Sequence, residues 1–231
     1  MSKEIKVLDH GIIRLVDYMG GDLNIARSAR VSYDAAWRAG EDQGSDERLI
    51  NYLYSNGHNT PFESVQVMIE VKAPIFVFRQ WHRHRTQSYN ELSARYRELP
   101  EVFYVPELEQ ITLQSEDNKQ MRTLEQHPSA KLIQYAIREA NEESFKTYRQ
   151  LIAMKAPREL ARSVLPVGTY SHMFANANLG NWFKFLSERL HEHAQYEIRV
   201  FAIELLKILA TIAPVACGAF EKQHEHLFKS H

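Results

Sequence analysis

The chain has 231 residues, 44% of them hydrophobic and 11% aromatic, which is enough apolar material for a folded globular protein with a sizeable core. Its 28 Lys and Arg nearly cancel its 29 Asp and Glu, for a formal net charge of −1, and this gives no support to a whole-protein attraction to nucleic acid or to an anionic membrane. A lone cysteine, Cys217, excludes an internal disulfide.

From the N-terminus, MSKEIKVLDHG scatters charges where a secretory signal needs an unbroken apolar stretch, so a cytoplasmic location is expected. No repeat or low-complexity linker follows, and a single domain is the simplest organisation. Residues 45–57, SDERLINYLYSNG, read as a helix capped by Ser45, with Asp46 and Glu47 in its first turn and Gly57 as its stop. HNTPFES reads as a loop. Val65, Val67, Ile69 and Val71 then alternate with Gln66, Met68, Glu70 and Lys72, the pattern of a half-buried strand. PIFVFRQWHRHR reads as a buried helix opened by Pro74 that turns polar from Arg79.

Further strands are expected in the N-terminal region and around residues 95–105. Residues 129–155 carry helical spacing through Leu132, Ile133, Ala136, Ile137, Ala140, Phe145, Tyr148, Leu151 and Ile152, and Pro157 ends it. A short helix over 158–165 stops at Pro166, a polar loop is expected around 176–180, and two helices follow over 182–190 and 194–212. The longest nearly apolar run, 208–220, is too short for a membrane span and is interrupted by Pro214 and Gly218.

The densest chemistry lies in WHRHRTQSYNELSARYREL, residues 81–99. Arg79, Arg83, Arg85, Arg95 and Arg97 face a single acid, Glu91, between them, in an otherwise neutral chain. That points to a compact anionic ligand, because guanidinium forks bind phosphate in paired hydrogen bonds, while Gln80, Gln87, Ser88, Asn90 and Ser93 could read a heterocycle. The bland alternative is a solvated basic face with internal salt bridges. An RNA-binding module, with Trp81, Tyr89 and Tyr96 as stacking platforms, is the alternative from another class, and the net charge of −1 argues against it.

Metal chemistry is not indicated. The pairs His82 and His84, His191 and His193, and His224 and His226 lack the cysteine cluster or His-Glu-x-x-His pattern that would complete a site, and Arg83 and Arg85 would oppose a cation. His224 and His226 read as exposed and idle. Cys217, in APVACGAF, reads as a small buried apolar residue with no cation nearby to activate it. In SERLHEHAQYEIR the spacing of Arg189, His193 and Glu197 puts them on one face if the helix is continuous, and Arg158 and Arg162 lie one turn apart in PRELARSVLP.

Together these segments resemble the flavin-dependent thymidylate synthases. The family signature, Arg-His-Arg, seven residues, then Ser, is RHRTQSYNELS here, from Arg83 to Ser93, and HNTPFES, ARSVLP and RLHEHAQYEIR occur in the family's order. The resemblance implies a helix-rich α+β fold, a single domain over residues 1–231 with a central, mostly antiparallel sheet, assembled as a homotetramer with active sites shared between subunits. It implies methylation of dUMP to dTMP, with methylenetetrahydrofolate as carbon donor, FAD as cofactor and NADPH as reductant, with no metal, nucleic-acid or membrane partner and no cysteine nucleophile. A related flavoprotein that has lost methyl transfer is the second alternative, against which the intact Arg83, Glu91, Ser93, Arg95 and Arg189 argue.

By motif position, the resemblance assigns Thr60, Arg83, His84, Arg85, Glu91, Asn178, Leu179, Gly180, Lys184 and His193 to FAD. Gln80, Arg83, Glu91, Leu92, Ser93, Ala94, Arg95, Arg162 and Arg189 fall to dUMP, with Arg189 as the catalytic residue that favours ionisation at N3 of the uracil. Asn176 competes with Asn178 for its role. The chain departs from commoner family patterns at Ala94, where many relatives have glycine, and at Tyr196, where tryptophan is frequent.

Overall fold

The structure is a computed structural model that describes residues 3–228, so the first two residues of the charged N-terminal segment lie outside it. Strands β1 (Ile5–Val7) and β2 (Gly11–Met19) form a hairpin in which a side chain at Gly11 would run into the Val7 carbonyl. Helices α1 (Asp22–Arg30) and α2 (Gln43–Ser55) follow. The cap of α2 is Asp42 rather than Ser45: the Asp42 carboxylate accepts the Ser45 N–H at 3.1 Å, which starts the helix two residues earlier than expected. Gly57, at φ +71, ends the segment as expected.

HNTPFES winds into a short 3-10 turn at Thr60–Ser64 and enters β3 (Gln66–Pro74). Helix α3 (Ile75–Trp81) and β4 (Ser88–Glu91) come next, then a small hairpin, β5 (Thr112–Gln114) and β6 (Arg122–Gln126). The remaining elements are α4 (Ala130–Ala153), α5 (Arg158–Ala161), β7 (Tyr170–Asn178), α6 (Leu179–Arg189), α7 (Tyr196–Ala210) and α8 (Pro214–Gln223). Five strands make one antiparallel sheet in the order β1-β2-β3-β7-β4, so the fold is α+β with a central antiparallel sheet. Among the described residues, no helix is long and apolar enough to cross a membrane.

The alternation in β3 sorts its two faces as read from the sequence. Val65, Val67, Ile69, Val71 and Ala73 are wholly buried, beside Met173, Ala175 and Ala177 of β7, under Trp81, Trp182, Phe185, Phe201 and Leu205 from the helices. Each such aliphatic or aromatic side chain contributes about 1.5–3 kcal/mol on burial. On the opposite face Phe174 is 40% exposed. Glu70 is buried on that face and is held by Arg14 and, at 2.6 Å, by His172 Nε2.

Three expectations are overturned. Residues 176–180 are not a polar loop: 176–178 end β7, the strand between β3 and β4, and 179–180 open α6, because the small alanines at 175 and 177 fill inward positions while the asparagines point to the half-open face. Residues 95–105 form no strand beyond one bridge, Phe103 to Thr169; the strand lies earlier, at Ser88–Glu91. The helical face joining Arg189, His193 and Glu197 does not exist. Helix α6 stops at Arg189 and α7 starts at Tyr196, and between them His191 Nδ1 accepts the His193 N–H at 3.1 Å, taking a donor that a continuous helix would use. His224 is also not idle: its ring is half-buried, stacked on Phe220 at 4.5 Å.

Glu197, 3% exposed, is held by both oxygens on Arg122 Nη2 at 2.8 and 2.7 Å and accepts the Tyr104 hydroxyl at 3.1 Å, fastening the β5–β6 hairpin to α7. Truncating Arg122 to Ala strands that buried carboxylate, so the variant should lose about 3 kcal/mol of stability. A urea unfolding midpoint unchanged from the parent would contradict this.

Candidate active site

Apolar residues on every side bury Val77, Phe78 and Trp81, so α3 plunges through the core and its polar continuation must turn sharply. The turn is held from inside. Tyr89 OH sits 3.1 Å from the Trp81 carbonyl and 2.8 Å from that of His84, and Trp81 Nε1 donates to Gln87 Oε1 at 3.1 Å. Burial pushes the Tyr89 hydroxyl up to about 12, which keeps it a donor. Arg83 and Arg85 are thrown outward, exposed and with no carboxylate partner among the described residues. Trp81 is wholly buried and Tyr89 is spoken for, which removes two of the three stacking platforms that an RNA-binding surface needed.

Arg189, at the end of α6, meets this turn. Its Nε donates to His84 Nε2 at 3.0 Å and its Nη2 to the Gln80 carbonyl at 3.3 Å. Gln80 Nε2 in turn donates to Gln195 Oε1, and Phe185 packs against the His84 ring with centroids 4.8 Å apart. Burial first, then the Arg189 charge, lowers the His84 pKa to about 4, so the ring is neutral and can accept. Burial also pulls the Arg189 pKa below its ordinary value.

A second group lies along the sheet edge. Glu91 ends β4 and accepts the Ser171 hydroxyl at 2.6 Å; Leu92 N donates to the His172 carbonyl at 2.7 Å. The chain then turns through Ser93, Ala94 and Arg95, where Arg95 N reaches Ser93 Oγ at 3.3 Å and the Arg95 guanidinium lies 3.5 Å from Glu159 of α5. Ala94 is buried, so the methyl group that departs from the family pattern points inward. Arg162 follows α5, exposed and without a carboxylate partner among the described residues.

A third group gathers at the start of α6. Asn178 is its N-cap, accepting the Asn181 N–H at 2.8 Å, and Leu179 N donates to the Val65 carbonyl at 2.8 Å. A methyl group on Gly180 would lie 3.9 Å from the Asn59 carbonyl, so the turn bearing Thr60 abuts this helix start, and Lys184 lines the same small hollow with Phe62 and His224. Asn176 sits within β7, opposite Met68 and Ser88. His193 is apart from this group, in a groove of about 790 Å³ between the β5–β6 hairpin and the α6–α7 turn.

Gln195, Ser171 and the inward role of Tyr89 were not apparent from sequence. Gln195 lies 115 positions from Gln80, and Ser171 lies 80 from Glu91, so no local spacing links either pair. The available signal at Ser171 was a polar residue at an inward position of a strand that is otherwise apolar on that side.

Known proteins supply the remaining constraint. A family model described as thymidylate synthase complementing protein matches residues 14–215. The chain belongs to the flavin-dependent thymidylate synthase family. It is 45% identical to a flavin-dependent thymidylate synthase of Treponema denticola over 98% of this chain and 85% of that one, and 41% identical to that of Thermotoga neapolitana over 95% and 94%. A UMP/dUMP methylase, PolB from Streptomyces cacaoi, solved with 5-Br dUMP, superimposes with a TM-score of 0.85 at 34% identity, covering 94% of this chain and 97% of that one. The family signature read as RHRTQSYNELS thus coincides with the turn and edge strand described above.

The neutral His84 gives a pH dependence of defined sign. Its folded pKa lies near 4 against an ordinary 6.5, so the unfolded chain binds more protons between those values. Stability therefore falls as pH drops from 6.5 towards 4, by up to about 3 kcal/mol from this group. A His84→Gln variant, which has no such proton to bind, should show a flatter change in urea midpoint over that window; equal changes in the two proteins would refute the assignment.

Proposed function

We propose that this chain methylates dUMP to dTMP in the cytoplasm, taking the one-carbon unit from methylenetetrahydrofolate, with FAD as cofactor and NADPH as reductant. The observation that carries the reading is the Arg189 guanidinium, partly desolvated and fixed by a neutral His84 and the Gln80 carbonyl within the family signature. A guanidinium held this way is preorganised where negative charge develops on the uracil ring as N3 ionises, and it needs no rearrangement during the reaction. Gln80, whose amide is oriented by Gln195, stands beside it to bind the base.

The donor set fits a dinucleotide cofactor and a phosphorylated substrate. Arg83, His84 and Arg85, with Thr60 and the α6 start at Asn178, Leu179 and Gly180, are assigned to FAD, because unpartnered guanidinium forks and the positive end of an eleven-residue helix both favour phosphate oxygens. Lys184, beside that helix start, and His193, in the α6–α7 turn, are assigned to the flavin set as well. The bound flavin supplies the hydride. Leu92, Ser93, Ala94, Arg95 and Arg162 are assigned to the dUMP phosphate and Glu91 to the meeting of the two ligands, where its carboxylate positions the base. Cys217 takes no part: it is 1% exposed, and burial raises its pKa well above the usual thiol range.

Residues 1–231 are read as one domain that assembles as a homotetramer with shared active sites. One hydrophobic cluster runs from Val7 to Leu227, which supports the single domain. Sharing is supported by apolar side chains left open on and beside the sheet, including Tyr18 at 53% and Met19 at 61% exposed.

Purified protein should show a flavin absorbance spectrum and release tritium from C5-labelled dUMP when supplied with NADPH and methylenetetrahydrofolate. Arg189→Ala should lower turnover by about 10²–10³-fold while leaving the flavin spectrum in place. Protein that stays colourless after incubation with FAD would refute the proposal.

A further inference from the structure

We infer that Ser171 is a positioning residue for Glu91, holding one carboxylate oxygen so that the other faces the bound nucleotide. The inference rests on the reading above that Glu91 contacts that ligand. Ser171 is 4% exposed, near the start of β7, and its hydroxyl donates to Glu91 Oε1 at 2.6 Å, the short length typical of a bond to an ionised acceptor. Packing does not call for a hydroxyl here. The next inward positions of β7 are Met173, Ala175 and Ala177, and alanine would fill the same side of the strand.

What Ser171 adds is control of an edge. Strand β4 has four residues and a partner on one side only, so its end is prone to fray. Two bonds hold that end beyond the ladder, the Leu92 N–H to the His172 carbonyl at 2.7 Å and the Ser171 hydroxyl to Glu91. The first fixes the backbone and the second fixes the side chain. Glu91 itself is exposed, and with Oε1 engaged by Ser171 its Oε2 is left for a donor from outside the chain.

The test combines Ser171→Ala, Ser171→Thr, Glu91→Ala and the double variant Ser171→Ala/Glu91→Ala. Ser171→Ala should raise KM for dUMP about tenfold, the loss expected for one hydrogen bond to a charged group, with a smaller change in kcat. Ser171→Thr, which keeps the hydroxyl and suits a strand, should restore the parent value. The double variant should match Glu91→Ala alone, since the hydroxyl acts only through that carboxylate. Amide hydrogen exchange at Leu92, which needs neither flavin nor nucleotide, should quicken in Ser171→Ala and not in Ser171→Thr. Multiplying effects in the double variant, or a threonine variant as impaired as the alanine one, would overturn the inference. If the parent protein turns over no dUMP, the proposed substrate fails on its own, and the exchange measurement still decides whether Ser171 holds the strand end: unchanged exchange refutes it.

Discussion

The pairing of β3 with β7 is the constraint on which the rest of the molecule depends. It runs without a bulge from Gln66 opposite Asn178 to Pro74 opposite Tyr170, with inward residues wholly buried on β3 and, apart from Met173, small from Ser171 to Ala177 on β7. Its two ends decide what can meet. At the Gln66 end, the turn bearing Thr60 and the start of α6 are forced together because each adjoins one of the paired strands. Helix α3 leaves the other end and crosses the core; β4 then begins opposite Asn176, so the intervening turn of Arg83, His84 and Arg85 returns to the end where α6 starts. The length of α6 then carries Arg189 to His84. A register slip by one residue would turn the apolar face of β3 outward and separate all of these groups at once.

Much of this was legible in the sequence, and for identifiable reasons. The alternation of Val65 to Val71 with polar residues, and the all-round apolar start of α3, are signals of period two and of uniform burial that few other structures satisfy. The long spacing of α4 was equally plain. The β7 segment was misread because its alanines and asparagines carry little hydrophobic contrast, and small inward residues next to a crowded neighbour look like a loop in a linear string. The break between α6 and α7 was expected between 190 and 194, close to where it lies, but what makes it was hidden. No proline or glycine marks it, and a histidine side chain taking a backbone donor leaves no trace in hydrophobic periodicity.

The candidate site was legible to a different degree. The signature Arg83 to Ser93 and the segments around Thr60, Arg162 and Arg189 could be located as strings, because each packs several functional residue types into a short span. What those strings do not contain is their support. Gln195 behind Gln80, Tyr89 beneath the arginine turn and Ser171 behind Glu91 are single ordinary residues whose partners lie elsewhere in the chain or on its inner face. Residues assigned to a ligand cluster in sequence here; residues that hold those residues are distributed by the fold.

The arginines of this near-neutral protein include two contrasting populations. Arg14, Arg30 and Arg122 are paired with Glu70, Asp46 and Glu197, carboxylates that are themselves at most 7% exposed, and they serve the fold. Arg83, Arg85 and Arg162 stand on the surface with no such partner among the described residues. Arg79 and Arg97 are also exposed and without a carboxylate partner among the described residues, with no assigned role. Between Arg79 and Arg97 the chain carries one carboxylate, Glu91, which accepts the Ser171 hydroxyl and is not paired with Arg83 or Arg85. A surface kept for solubility intersperses both signs of charge. One that leaves Arg83, Arg85 and Arg162 without a carboxylate partner among the described residues, and fixes Arg189 against a histidine unable to take a proton at neutral pH, keeps positive charge available for anions that arrive from outside.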